Sequence, residues 1–278
     1  MVAPDPEIAG SRTMRATAVR RTALAASAAA LALLATACGG TSDADKKDDK
    51  DAAGGGSSAP KTPAKTLTAA ELEKATLAQG DVKGRKVTKA GPADEVPADG
   101  VTVDKEACLP VAHAMYGVAQ KGSVATTKRK VIDEPKAGNK KSLEDLADGE
   151  AEDAFKDAFD LTSTFVALNS YEGTAGPDAF AALKKAAADC AGGFTATVAG
   201  TPTKVASIAE EKVTGGDEAA AWTVTSEDDG DKAPFKLVAL RKEGAVATFF
   251  SFNLAAAGGD VTFEVPAEVV AAQDEKLA

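Results

Sequence analysis

Three cysteines and one histidine are the side chains of this chain that could supply a thiolate, a soft metal ligand or a proton carrier near neutral pH. They are Cys38, Cys108, Cys190 and His113. One histidine excludes His-rich zinc sites and leaves His113 alone for any Ser-His or Cys-His catalysis. Cys108 and His113 stand at i, i+5, which sets them well apart around a helix. A nucleophilic Cys108/His113 pair would also leave Cys190 without a partner. In an oxidising compartment Cys108 and Cys190 read instead as a disulfide. Closing so long a loop stabilises by about 4–5 kcal/mol at most. The run Ser226-Glu227-Asp228-Asp229-Gly230-Asp231 carries carboxylates and a glycine. It lacks calcium-loop spacing and the terminal glutamate, so a polar hairpin loop is expected there. No Gly-rich phosphate loop and no nucleophile elbow is present. The expectation is a protein without cofactor, bound metal or catalysis.

The remaining residues with concentrated contact area are aromatic. Ten phenylalanines, two tyrosines and one tryptophan stand against 62 alanines and three isoleucines. Phe250 and Phe252 share one face of a strand, and Phe249 takes the other. Trp222 and Tyr171 are expected on neighbouring strands. The first role of such residues is core. Where alanine offers little burial, the same residues also mark a candidate apolar ligand cleft: Tyr171, Trp222, Phe250 and Phe252. With 42 acidic and 32 basic side chains the formal charge is −10, against the basic face that a nucleic-acid partner requires.

The amino-terminal residues place these groups outside the cell. Arg15, Arg20 and Arg21 precede an uncharged apolar stretch, Thr22 to Ala37, which ends in small residues. That is the layout of a secretory signal, and the stretch is short for a membrane-spanning helix. Small residues directly before Cys38 resemble the bacterial lipobox, with Ala35 where leucine is usual and Leu34 one place earlier. The resemblance implies diacylglyceration of Cys38, with acyl chains such as palmitate, and cleavage that makes it the new amino terminus. Arg20-Arg21 also match the start of a twin-arginine export signal. Met14 is the expected start of the signal, because Asp5 and Glu7 precede it. Losing residues 1–37 removes four arginines and two acids, which takes the formal charge from −10 to −12. An acylated protein of that charge should stand off an anionic membrane rather than lie on it.

Residues 38–66 read as a lipidated cysteine and a disordered linker, rich in Asp, Lys, Gly, Ser and Pro and without a large apolar side chain. As a flexible coil this linker spans roughly 30 Å. Residues 67–278 are then a single extracellular domain. Thr68 and Glu71 form a capping box, Leu67 and Leu72 a hydrophobic staple, and Gly80 a stop. A strand is expected near Val82–Val87, and a short helix over Asp104–Tyr116 that Pro110 interrupts. Val124–Ile132 reads as a strand. Lys128, Arg129, Lys130, Lys136, Lys140 and Lys141 read as a solvated basic face. The acidic run from Glu144 to Asp160 reads as an amphipathic helix packed through Phe155 and Phe159. Leu161–Tyr171 reads as a strand, and Pro177 as the first position of a strong helix. Phe180, Leu183, Ala187 and Cys190 share that helix's buried stripe, and Gly192-Gly193 stops it. Short strands follow over 194–199, 203–209, 219–225, 235–241 and 245–254, with Lys242-Glu243-Gly244 as a hairpin turn. Pro266 opens a terminal helix with Val269, Val270 and Leu277. Helices early and strands late make an α+β domain with a central antiparallel sheet.

The order of these features is similar to that of a known domain. Its elements are the opening helix Leu67–Leu77, Cys108 before a short helix, Ser170-Tyr171 closing a strand, and Pro177–Leu183 leading to Cys190. The late strands and a terminal Val265-Pro266 helix with Gln273 and Lys276-Leu277 complete it. This resembles the extracellular sensor domain of the mycobacterial PknH-type serine/threonine kinases, a domain also found in stand-alone actinobacterial lipoproteins. The resemblance implies a central antiparallel sheet flanked by helices, with a cleft for a ligand. The kinase domain carries two disulfides where this chain has cysteines for one, and no binding residue carries over. The combined expectation is a non-enzymatic ligand-binding or sensing domain on the outer face of the cell membrane, held by an N-terminal lipid. A carrier of lipid or another hydrophobic molecule is the alternative, which needs a deep apolar cavity; an envelope hydrolase would need several convergent polar groups.

Overall fold

Nine strands, all antiparallel, form one sheet in a computed structural model that describes residues 65–134, 160–258 and 263–278. In chain order they are β1 (Arg85–Lys89), β2 (Val101–Val103), β3 (Ser123–Asp133), β4 (Thr162–Tyr171), β5 (Phe194–Val198), β6 (Thr201–Glu211), β7 (Glu218–Asp228), β8 (Asp231–Lys242) and β9 (Ala245–Asn253). Their order across the sheet is β1-β3-β4-β9-β8-β7-β6-β5-β2. Among the described residues four α-helices flank it: α1 (Ala69–Ala75), α2 (Leu109–Met115), α3 (Ala175–Asp189) and α4 (Ala267–Lys276). The fold is α+β, a central antiparallel sheet with helices on both faces. The expected signal, Cys38, the expected linker up to residue 64, Lys136, Lys140, Lys141, Phe155 and Phe159 lie outside the described residues.

Strand alternation divides the core in two. Trp222, Val224, Leu237 and Ala239 point to the face covered by α2 and α3. Ala221, Val238, Leu240 and Phe249 point to the face covered by α1 and α4. The central strands are therefore apolar on both sides, as β8 reads from Leu237 to Leu240. α3 buries Phe180 and Leu183 against the first face, each worth about 1.5–3 kcal/mol. The disulfide joins the start of α2 to the end of α3: Cys108 and Cys190 are bonded, with Cα atoms 5.8 Å apart. Gly193 follows at φ +89°, where a Cβ would lie 2.3 Å from the Val205 carbonyl oxygen, so this tight exit from α3 requires glycine.

The capping box at α1 is present. Thr68 Oγ1 accepts from the Glu71 amide at 3.3 Å, and Glu71 accepts from the Thr68 amide at 2.9 Å. The chain is pinned just ahead of it, where the Leu67 amide donates to Ser170 Oγ at 2.8 Å and Thr66 Oγ1 to the Tyr171 carbonyl at 3.1 Å.

Several expectations need correction. Pro110 does not interrupt a helix; it sits in the first turn of α2, where its missing N–H costs nothing. Pro177 is the third residue of α3 rather than its first. The first strand begins at Arg85, not Val82, and Val101–Val103, for which no element is expected, forms the three-residue edge strand β2. Residues 128–130 are not a solvated face: the Lys128 and Arg129 side chains keep 11% and 9% of their exposure, paired with Glu95 and Glu73.

Candidate functional site

The strand register sets the aromatic residues side by side. Phe165 of β4 lies opposite Phe250 of β9, Phe250 opposite Leu237 of β8, and Leu237 opposite Trp222 of β7. Phe252 and Phe235 lie two residues along on the same face, as the two-residue period of a strand demands. The four phenylalanines stack in two pairs. Phe165 and Phe252 have ring centroids 6.3 Å apart, and Phe235 and Phe250 5.1 Å apart. All four are partly buried. Lys130, opposite Phe165 on β3, holds its Nζ 5.9 Å from that ring's centroid while bonding Asp94 at 3.1 Å.

The four residues expected to line a cleft thus divide. Phe250 and Phe252 belong to this strip. Trp222 shares the row but is 5% exposed, closed into the core under α2 and α3. Tyr171 is fully buried at the far end of β4, packed with Ala179 and Val246. Burial pushes its phenol up to about 12, so it stays neutral. Tyr171 is therefore core and not part of a contact surface. Phe165 and Phe235 were missed, because only the cross-strand register brings them to the strip.

The groups with chemical potential sit elsewhere. Cys108 is a disulfide sulfur and cannot act as a thiolate with His113. His113 is partly buried on α2, and burial holds its imidazole below the ordinary value against an opposing hydrogen bond with the Ala98 backbone. Among the described residues no cluster of three or more His, Cys, Asp or Glu side chains could hold a metal ion. The acidic run at 226–231 ends β7 and begins β8, with Asp229 and Gly230 at positive φ between the paired residues Asp228 and Asp231. Cation and carboxylate are also consumed on the opposite face. Lys236, 8% exposed, binds Glu211 and Thr223 and lies 5.8 Å from the Phe263 centroid. Arg129 donates to the Leu77 carbonyl at 2.9 Å and to Glu73 at 2.8 Å, fixing the exit of α1 to β3.

A cavity of about 500 Å³ opens between Leu67, Lys74, Lys242 and Lys276, and another of about 490 Å³ between Val213, Val265 and Val270. Neither is lined by the phenylalanines. In the first, Lys242 and Lys276 are taken up by Asp274 at 2.9 Å and Asp81 at 2.8 Å.

No family model matches the chain, and no curated protein matches it. Among solved structures, the extracellular domain of PknH from Mycobacterium tuberculosis is similar at 12% sequence identity and a TM-score of 0.44, covering 77% of this chain and 97% of that chain.

Proposed function

We propose that this chain is an exported protein, anchored by a lipid at Cys38, whose domain binds a ligand or senses a signal outside the membrane without turning over a substrate. The observation that carries this reading is the strip of Phe165, Phe235, Phe250 and Phe252. These are four large apolar rings that α2 and α3 leave partly open, while Trp222 on the same face is closed. Rings of this kind offer area and little directional bonding, which suits an apolar contact more than acid–base chemistry. The cysteines support it by being spent on each other. A carrier of lipid needs an enclosed apolar cavity, and the two cavities above are rimmed by charged side chains.

Native mass spectrometry and thermal unfolding of the mature full chain, incubated with palmitate as an apolar probe, test the reading. Stabilisation by the probe should fall in Phe252→Ala and Phe165→Ala and persist in His113→Ala. A probe effect untouched by both strip variants overturns the assignment of the surface. A turnover of envelope material lost in His113→Ala overturns the non-catalytic reading. One lipid per chain retained through purification without added probe makes the protein a carrier.

A further inference from the structure

We draw no further inference here: the strongest candidate, the strip of Phe165, Phe235, Phe250 and Phe252 on the sheet face beside α2 and α3, belongs to the site already described, and nothing in the structure shows what covers it.

Discussion

At the scale of single residues, two phenylalanines three positions apart on β9 carry opposite duties. Phe249 is fully buried under α1 and α4, whereas Phe252 is partly open on the other face. Phe249→Ala should cost about 3–5 kcal/mol, the usual range for a large ring removed from a closed core. Phe252→Ala should cost about 1–2 kcal/mol, since less area returns to water. Urea unfolding of both variants checks the order, and equal losses would show that Phe252 is core. Glu73 makes a second prediction. The Thr127 hydroxyl, and then Arg129 and Lys89, hold its carboxyl down to about 2 from 4.5. A depressed folded pKa means stability that is complete above about 4.5 and is lost as pH falls towards 2. Because the Glu73 side chain is 42% exposed, its share is discounted to about 1 kcal/mol. Glu73→Gln should therefore destabilise at pH 7 and match the parent protein near pH 2, measured by denaturant titration at both.

At the scale of elements, the disulfide ties two helices that cover one face. Cys108 and Cys190 are separated by 82 residues and are 0% and 2% exposed. The paired variant Cys108→Ala/Cys190→Ala should lose up to about 4–5 kcal/mol, with the largest rise in amide exchange in α2 and the end of α3. An unchanged unfolding midpoint under reducing conditions would sink that expectation. The same elements show what was legible beforehand. Caps are local chemistry, so Thr68, Glu71 and Gly193 mark their helix ends, whereas α1 stops at Ala75, well before the expected Gly80. The stripe Phe180, Leu183, Ala187 and Cys190 read correctly because helical period alone sets it. β2 did not read, because its three residues are strand only through pairing with β5, nearly a hundred positions away. Nor did the burial of Arg129, whose partners Glu73 and Leu77 reach it from a different element. The strip was half legible: Phe250 and Phe252 came from alternation, while Phe165 and Phe235 needed the register of β4, β9 and β8.

At the scale of the whole molecule, Cys38→Ala tests the anchor. The variant should leave the membrane fraction or accumulate as an uncleaved precursor, and a processed, detergent-requiring product would refute lipidation. The point where the amino-terminal segment meets the sheet has a mechanical consequence. That segment is bonded at Thr66 and Leu67 to β4, which has β3 on one side and β9 on the other. Gly244 at the β8–β9 turn leaves no room for a side chain, since a Cβ there would lie 2.7 Å from the Lys65 carbonyl oxygen. A pull from the amino-terminal side therefore enters an interior strand instead of an edge. Its first resistance is a pair of hydrogen bonds and the capped start of α1, and unzipping from β1 or β2 is not the path that tension takes.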